Sequence, residues 1–449
     1  MPTDPLSLHP DNPHYMVFRG KPAVLITSGE HYGAVMNLDF DYHRYLDALA
    51  EGGFNLTRLF SGTYRERPGS HRIQNNTMAP QDARFICPWR CVERGPGNAP
   101  LKWDLTRWDE AYWQRLRDFV AQAGARGIVV EYVLFCYMYS DELWRASPLH
   151  PDNNVNGLRV ENPNDIFKLD NSPVLAAQEA FVRKAAQELN RFDNVYYEIA
   201  NELYVCQDGT LYLDWQHHLV DVLREEERGL PARHLVAINY WNNVGRAVPL
   251  HPDVDILNFH YAFPEAVAWN YGLDRVIADD ETGFKGWTST PYRTEAWAFM
   301  LSGGAVFSHL DYSFTVAHPD GTAALVDETP GHGGPAWRAQ LSVLKRFLDA
   351  FDLPPMAPHP EAAMPGTALN TRVAVLAEPG RQYAVYLWGG GPNTDLRVQL
   401  PAGSYEFTWT NPSDGRTIRT TEVDGHSGGT YTVRTPTFLE DLALSIIRR

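Results

Sequence analysis

Carboxylates stand where two predicted buried strands end. The run 195–204 begins with Val, Tyr and Ile, which favour strands, and turns polar at Asn201 and Glu202. The run 276–281 also reads as a strand and ends with Glu281. Where two carboxylates face one cavity, one can protonate a leaving oxygen while the other attacks an anomeric carbon or activates water. The alternative is that each strand end is merely solvated.

Further polar side chains gather at the ends of the predicted strands. The core side of a strand holds unpaired charges only at a high cost in free energy, so we expect these groups to share one mouth. There they would pair with one another or with a ligand. The candidates for binding a substrate are Glu30, His31, Arg58, Asn201, Trp241, His260, Tyr261, His309 and Asp311.

Some of these polar residues have an equally good structural interpretation. His309 and Asp311 could bind a ligand or could pair inside the fold, and Arg58 could simply pair with a neighbouring carboxylate. Glu131 and Glu198 lie inside predicted strands. Charged residues are rarely buried unless paired, so we interpret these two as paired core carboxylates rather than catalysts.

The elements that position these groups alternate between strand-like and helix-like runs. The predicted strands are 22–27, 54–60, 128–135, 195–204, 234–241, 255–261, 276–281 and 305–311. The predicted helices are 39–50, 108–127, one from Ser172, 212–227, 264–271, one from Thr290, and 337–351. Eight such units predict an α/β fold, a (β/α)8 TIM barrel, whose chemistry lies at the carboxyl ends of the strands. An open doubly wound sheet is the alternative, but no strand is followed by a Gly-rich phosphate loop.

The chain divides into three predicted parts. The barrel covers 1–353 and includes two long loops, 61–103 and 136–170, that we expect to wall the cleft. A proline-rich linker covers 354–366. Short strands separated by Gly, Pro and Asp turns over 367–449 predict an antiparallel β-sandwich that stabilises the protein. The alternative is a carbohydrate-binding module, with Trp388 and Trp409 as its platforms.

Composition excludes several classes of function. The formal net charge of −16 makes a nucleic-acid partner improbable, because such proteins carry basic patches. No apolar run reaches the roughly 20 residues of a membrane span. The first residues lack a basic start and an apolar core, so we expect a cytoplasmic protein unless a leader was removed. Cys87 and Cys91 lack partners at zinc-site spacing, and we expect no cofactor.

The motif Tyr-Glu-Ile-Ala-Asn-Glu over 197–202 resembles the fourth-strand motif of clan A retaining glycoside hydrolases, family 5 in particular. The resemblance implies that Glu202 is the general acid/base and that Asn201 grips the sugar hydroxyl beside the cleaved bond. It also implies a nucleophile at the end of strand seven, where Glu281-Thr-Gly283 is similar to the clan's Glu-x-Gly. An oligosaccharide or glycoside substrate is expected, and the oligomeric state is left open.

Other strand ends also carry the resemblance. The segment Gly-Phe-Asn-Leu-Thr-Arg over 53–58 is similar to the clan's second strand, whose Arg steadies the nucleophile. His260 and Tyr261 sit where the clan often places His and Tyr. Two departures stand out: Leu203 replaces the usual Pro, and the usual Trp of strand eight is missing. Trp241 could replace that sugar-binding platform.

Two rival functions remain open at this stage. Asp279, Asp280 and Glu281 could form an acidic metal site of a metal-dependent hydrolase. Metal-dependent barrels usually carry His-x-His after strand one, where this chain has Glu30 and His31. A non-catalytic carbohydrate-binding barrel would lack one of the two carboxylates. For a retaining hydrolase, we expect the two carboxylates to lie about 5 Å apart.

Overall fold

Eight parallel strands with helices between them form a barrel, which confirms the predicted fold class. The structure is a computed structural model and describes residues 4–73, 76–93, 101–160, 162–203, 212–325, 330–366, 370–390 and 393–449. Strands one to eight are Leu25–Gly29, Leu56–Phe60, Val129–Cys136, Val195–Asn201, Val236–Asn242, Ile256–His260, Val276–Thr282 and Val306–Leu310. They lie side by side in the order one, eight, seven, six, five, four, three, two. Residue 204, where the predicted fourth strand ends, lies outside the described residues.

The seam between strands one and two is closed by the side chain of Asn55. Its Oδ1 accepts the Ile26 N–H at 2.9 Å, and its Nδ2 donates to the Val24 carbonyl at 2.8 Å. The Asn55 backbone N–H also donates to the Ile26 carbonyl at 3.3 Å. A side-chain amide presents the same donor and acceptor as a peptide group, so it replaces part of the missing ladder here.

Seven helices of seven residues or more separate the strands within the described parts of the chain. They are Tyr42–Glu51, Glu110–Ala125, Ser172–Leu189, Leu213–Glu227, Pro264–Asn270, Ser289–Leu301 and Pro335–Asp349. The first shows why they form: Tyr42, Tyr45, Leu46 and Leu49 bury one face. The Asp41 carboxylate caps this helix by accepting the N–H groups of residues 43 and 44. Strands five and six are joined without a helix, since Pro249 and Pro252 interrupt the short connection.

The two predicted loops contain ordered elements. The first holds an antiparallel hairpin, Trp89–Glu93 with Lys102–Trp108, although residues 94–100 between them lie outside the described part. Trp89 and Trp103 are buried and anchor it to the barrel. The second holds the short helix Asp141–Ala146. Both insertions stand at the carboxyl end of the strands, beside the predicted mouth.

The tail is built from two antiparallel sheets, as predicted. The six-stranded sheet contains, in order, Ala357–Pro358, Arg372–Glu378, Gln382–Trp388, Asp441–Arg448, Gly403–Thr410 and Thr417–His426. The three-stranded sheet contains Ala363–Pro365, Asp395–Leu400 and Gly429–Arg434. Tyr405, Phe407, Leu444 and Ile446 contribute to their shared core. Trp409 is fully buried there, so it offers no exposed platform to a carbohydrate.

The segment predicted as a linker takes part in both sheets. Ala357–Pro358 pairs with 376–377, and Ala363–Pro365 pairs with 396–398. Proline lacks an N–H, which confines it to the margins of a sheet, and both short strands lie at sheet edges. The chain therefore reaches the sandwich through paired edge strands. Residues 367–369, where the predicted sandwich begins, lie outside the described residues.

Barrel and sandwich are joined by a buried ion pair. Arg293, on the helix Ser289–Leu301, donates to both oxygens of Asp441 at 2.7 and 3.0 Å. The Tyr386 hydroxyl donates to the same carboxylate at 2.8 Å, and its ring stacks on Trp297 at 5.4 Å. Bidentate pairs of this kind fix orientation as well as adding energy. Within the described residues, no helix is long and apolar enough to cross a bilayer.

Candidate active site

Glu202 and Glu281 meet at the carboxyl end of the barrel. Glu202 directly follows strand four with a left-handed backbone (φ 58°), and its N–H donates to Asn239 Oδ1 at 2.9 Å. Glu281 lies in strand seven, one residue before the strand ends. One carboxylate oxygen of each lies within 4.8 Å of the other and of a ring nitrogen of His260. Both side chains are largely buried, which strengthens their electrostatic interactions.

Three donors hold the carboxylate of Glu281. Its Oε2 accepts the Tyr32 hydroxyl at 2.5 Å and the Arg58 Nη1–H at 3.0 Å, and its Oε1 accepts the Tyr261 hydroxyl at 3.0 Å. Donors to both oxygens fix the direction in which a carboxylate points. The arrangement therefore fixes the orientation of Glu281 at the cavity.

Glu202 is held by a different set of partners. Its Oε2 accepts the Tyr139 hydroxyl, and its Oε1 lies 2.8 Å from His260 Nδ1. The neighbouring Asn201 donates from Nδ2 to the Tyr139 oxygen at 2.7 Å and accepts Arg58 Nη2–H at 2.7 Å. Asn201 and Glu202 are thus linked through one tyrosine, and the surroundings of the two glutamates differ.

His260 lies between the two glutamates and a deeper carboxylate. Its Nε2 is 3.3 Å from Asp280 Oδ1, while its Nδ1 faces Glu202 at 2.8 Å and Glu281 at 3.6 Å. Burial lowers the pKa of His260, but the charges of Glu281 and Asp280 outweigh it and raise that pKa well above the usual value. The imidazole is consequently a cation at neutral pH, with one N–H directed at Asp280 and the other at Glu202 and Glu281.

Arg58 lies beneath the pair and contacts several buried acids. Its Nη2 lies 2.6 Å from Glu198 Oε2, and its Nε lies 3.2 Å from Asp280 and 3.6 Å from Glu131. Asn258 Nδ2 donates to Glu131 at 2.9 Å and to Asp280 at 2.7 Å. Glu131 and Glu198 are therefore paired core carboxylates, in agreement with the interpretation of the sequence.

The three acids of this buried cluster differ in their pKa values. Burial, followed by the charge of Asp280, raises the pKa of Glu131 well above its usual value. Burial raises the pKa of Glu198 to about 7 in spite of Arg58. Burial also acts to raise the pKa of Asp280, but Arg58 and then His260 lower it to about 2. Asp280 stays ionised, whereas Glu131 stays protonated at neutral pH.

A cavity of about 240 Å³ opens above the pair. Its lining combines aromatic rings with acids, amides and histidines, as is common in sites that bind small polar ligands. The lining residues are His31, Tyr32, Phe60, Tyr64, Glu66, His71, Tyr139, Asn201, Glu202, Asn242, Tyr261, Glu281 and Phe284. His31, Asn201 and Tyr261 are thereby brought to the cavity, and Arg58 and His260 support it from below.

His31 faces a partner that the sequence did not suggest. Its Nδ1 lies 2.8 Å from Glu66 Oε2, and its ring stacks on Tyr32 and Tyr312. Burial lowers the pKa of His31, but the charge of Glu66 and its hydrogen bond raise it overall. Glu66 lies in the insertion after strand two, and it adds a third carboxylate to the cavity wall.

Glu30 and Trp241, both predicted to bind a substrate, lie away from this cavity. Both oxygens of Glu30 accept backbone N–H groups, from Gly33 at 2.7 Å and from Ala34 at 3.1 Å. Glu30 therefore organises the turn after strand one. The Trp241 indole N–H donates to the Arg246 carbonyl at 3.0 Å, and its ring borders a separate groove of about 650 Å³.

His309 and Asp311 are likewise used inside the fold. His309 Nδ1 lies 3.0 Å from both the Ser28 hydroxyl and the Trp337 indole nitrogen, and burial lowers its pKa well below the usual value. Asp311 pairs with Arg338 Nη1 at 2.7 Å. Their side chains thus hold strand eight to its neighbours, which is the structural one of the two readings that the sequence allowed.

Several residues of the site were missed by sequence reasoning. Tyr32 and Tyr139 contact Glu281 and Glu202 directly, but they follow strands one and three in segments without a periodic pattern. Tyr32 comes directly after His31, so extending the strand-end argument by one residue would have found it. The remaining members are Phe60, Tyr64, Glu66, His71, Asn239, Asn242 and Phe284.

Among the described residues, two groups of side chains have the composition of metal ligands. They are Glu202 with His260 and Glu281, and Glu131 with Glu198 and Asp280. The Arg58 guanidinium contacts all three acids of the second group, so that group already has its cation. In the first group the raised pKa of His260 favours its protonated form, which cannot bind a metal. Both groups therefore fit buried ion pairs better than a metal.

Comparisons with known proteins show where this architecture occurs. No protein-family model matches the chain, and no curated protein matches its sequence. A solved glycoside hydrolase matches at a TM-score of 0.67 and 11% identity, over 99% of this chain and 97% of that one. The chain has a fold like that of glycoside hydrolase family 5. A family 5 structure from Bacteroides vulgatus matches at a TM-score of 0.63 and 11% identity, over 99% of this chain and 93% of that one.

A further structure from Bacteroides vulgatus, also assigned to the glycoside hydrolases, gives the same result. Its TM-score is 0.66 at 14% identity, and the match covers 99% of this chain and 82% of that one. These likenesses extend over barrel and sandwich together. Identities this low establish the fold, whereas function has to be argued from the site itself.

Proposed function

We propose that the protein is a retaining glycoside hydrolase, with Glu202 as general acid/base and Glu281 as nucleophile. The observation that carries the proposal is the approach of one oxygen of each carboxylate to within 4.8 Å at the cavity. Retaining enzymes place their carboxyl groups about 5–5.5 Å apart, whereas inverting enzymes leave about 6.5–9.5 Å for a water molecule. The short separation here favours direct attack.

In the first step a glycosyl-enzyme forms. A Glu281 oxygen attacks the anomeric carbon, the bond to the leaving oxygen breaks, and the proton of Glu202 moves to that oxygen. Tyr32, Tyr261 and Arg58 orient the attacking carboxylate through their hydrogen bonds. Asn201 stands beside the acid, where its amide can bind a sugar hydroxyl.

In the second step water releases the sugar. Glu202, now ionised, takes a proton from water, the water oxygen attacks the anomeric carbon, and the ester to Glu281 breaks; this second inversion restores the configuration of the substrate. The cationic His260 and the Tyr139 hydroxyl face Glu202 and stabilise its charge between the two steps. Each of the two steps inverts the anomeric carbon. Glu281 is the nucleophile of the first step and Glu202 activates the water of the second, so both glutamates are needed.

The proposal is tested by removing each glutamate separately. Glu202→Ala should lower kcat/KM on glycosides with poor leaving groups about 10²–10⁴-fold, the usual contribution of a general acid. On dinitrophenyl glycosides the glycosyl-enzyme should still form, and azide should release a glycosyl azide of the substrate's own anomeric configuration. Glu281→Ala should lose turnover on every substrate, because no other group forms the ester. The exposed Glu265 provides the control, since Glu265→Ala should behave as wild type.

The anomeric configuration of the products decides the outcome. NMR of the first product of the wild-type enzyme should show retention, and a fluorosugar inhibitor should label Glu281 covalently. Release of an inverted sugar, or an inverted azide from Glu202→Ala, would rule out these assignments. Label on Asp279 or Asp280 would show that the labelled aspartate, and not Glu281, is the nucleophile.

A metal-dependent hydrolase is the second candidate, because Glu202, His260 and Glu281 bring three ligand atoms together, although the protonated form of His260 opposes metal binding. It predicts loss of activity on treatment with a chelator and recovery on adding a divalent cation. The retaining mechanism predicts the same rate before and after chelation. Metal analysis of the dialysed protein completes the comparison.

A further inference from the structure

A closed circle of aromatic rings lies at one side of the mouth of the cavity. Going around the circle, these rings belong to Tyr64, Phe60, Tyr32, His31, Tyr312, Phe284, His71 and Tyr139. The centroids of successive rings lie between 4.1 Å and 6.4 Å apart. All of these residues except Tyr312 line the cavity. The circle spans strands seven, eight, one, two and three, so this side of the mouth is walled.

His71 completes the circle by reaching across from the insertion after strand two. Its ring lies 6.4 Å from Phe284, which follows strand seven, and 5.1 Å from Tyr139, which follows strand three. Both His71 (φ 54°) and Phe284 (φ 53°) have a left-handed backbone. Such conformations persist in side-chain-bearing residues only where the surroundings enforce them, and they concentrate at ligand sites. The contact between His71 and Phe284 therefore bridges the cleft.

Polar groups occupy the walled end of the cavity. Glu66 Oε2 accepts Asn76 Nδ2–H at 2.5 Å and lies 2.8 Å from His31 Nδ1. Glu66 Oε1 lies 3.6 Å from His71 Nε2, which is 3.2 Å from the Tyr64 hydroxyl. Carboxylate and imidazole groups held in this way can form hydrogen bonds with the hydroxyl groups at the far edge of a sugar ring.

We propose that this cavity is a closed-ended pocket for one terminal sugar and that the protein removes sugars from the non-reducing end of glycosides. The inference rests on the proposed function. The sugar that bonds to Glu281 lies on the side of Tyr32, His31 and Glu66, and the leaving group departs past Glu202. A second sugar beyond the first would have to pass the bridge of His71 and Phe284.

The size of the cavity agrees with a single sugar. Its volume of about 240 Å³ is smaller than the roughly 300–1,000 Å³ of pockets that hold drug-sized ligands. An enzyme that cuts inside a chain needs a cleft that is open on both sides of the catalytic pair. Here the walled side lies over strands seven, eight, one, two and three, and the remaining rim over strands four to six carries Glu202, Asn242 and Tyr261.

The test compares substrates that differ only at their non-reducing end. A panel of 4-nitrophenyl monoglycosides of both anomers first identifies the sugar. The matching 4-nitrophenyl disaccharide and trisaccharide are then offered with and without a 4,6-O-benzylidene group on the terminal sugar. Wild-type kcat/KM should fall at least about 100-fold on the blocked compounds, because the block clashes with the walled end. Unblocked compounds should release the terminal sugar first.

Variants of His71 and Phe284 test whether the contact between these two residues causes the selectivity. In H71A/F284A the ratio of kcat/KM for blocked over unblocked trisaccharide should rise at least about tenfold, whatever the absolute rate. Trp287→Ala is the matched control, since Trp287 is an exposed aromatic three residues beyond Phe284 and outside the cavity lining. Its ratio should equal that of wild type.

The outcomes separate the two proposals. Equal rates on blocked and unblocked compounds would overturn the closed-ended pocket while leaving the hydrolase intact. An unchanged ratio in H71A/F284A together with normal circular dichroism would overturn the role of the bridge. Absence of hydrolysis of every glycoside in the panel would instead overturn the proposed function.

Discussion

At the scale of single residues, the site depends on how its buried acids pair with one buried cation, Arg58. Arg58 contacts Glu198, Asp280 and Glu281 at once, and a lone buried cation or anion would be far more costly. A guanidinium can make these contacts in several directions because its donors form a planar fork. The same residue thus neutralises the core of the barrel and orients the proposed nucleophile.

Glu30 should make stability depend on pH. Burial raises its pKa from 4.5 to about 7, although the N–H groups of Gly33 and Ala34 oppose the shift. The folded state then binds more protons than the unfolded state between these values. The stabilisation is complete below about pH 4.5 and is lost as the pH rises through about 7. The expected loss is about 3 kcal/mol.

The variant Glu30→Gln isolates this contribution. Urea denaturation at pH 4.5 and pH 7.5 should show a drop in the free energy of unfolding for wild type that exceeds the drop for the variant. The difference between the two drops is the quantity to compare with the expected value. If both proteins respond to pH identically, Glu30 does not titrate in this range.

Only some of the site residues could be predicted from the sequence. Glu202, Glu281, Asn201, Arg58 and His260 could be found because they end or lie in strands of a recognisable pattern. His309 and Asp311 have the same residue types at a strand end, but a strand covered on both faces carries no signal for which face points inward. Tyr32 and Tyr139 depend on loop geometry, which leaves no periodicity in the sequence.

At the scale of elements, the closure of the barrel depends on one side chain. Asn55 bonds the backbone of Val24 and Ile26 where strands one and two meet. The strands themselves were predictable, because their apolar runs end in polar residues. Thr417–His426 is rich in Thr and largely exposed, so no apolar run in the sequence marks it as a strand.

Asn55→Ala should destabilise the barrel at this seam. It leaves the Ile26 N–H and the Val24 carbonyl without their partner, and each unsatisfied buried group costs about 1–3 kcal/mol. We expect a loss of about 2–4 kcal/mol in the free energy of unfolding, measured by urea denaturation with an unchanged m value. Amide exchange at Ile26 should accelerate in the variant. A loss below experimental error would show that the seam is held by other contacts.

At the scale of the whole molecule, barrel and sandwich form one connected structure. Arg293 and Asp441 are buried together at the boundary, and Tyr386 packs there on Trp297. The division into barrel and sandwich was predictable from the change in strand pattern. The contact between them was not, because its two residues are 148 positions apart and each is an ordinary surface-type residue in its own segment.

Arg293→Met should destabilise the protein by about 3–5 kcal/mol, because it leaves the Asp441 carboxylate buried without its cation. Asp441→Leu should cost less, because Arg293 keeps its ion pair with Glu440 at 2.7 Å. The double variant should recover much of the loss, since neither charge is then left alone. Thermal unfolding of the four proteins measures the coupling. Additive losses in the double variant would mean that the two residues do not interact.

The position of strand 441–448 bears on the order in which the chain folds during synthesis. This strand lies between Gln382–Trp388 and Gly403–Thr410, in the middle of the six-stranded sheet. The barrel elements are complete at residue 349, so they can assemble while the ribosome is still translating the tail. The sandwich cannot form until this central strand has been synthesised. Until then Arg293 also lacks Asp441 as its partner. A nascent chain arrested before residue 441 would therefore present a formed barrel beside an open, aggregation-prone sheet.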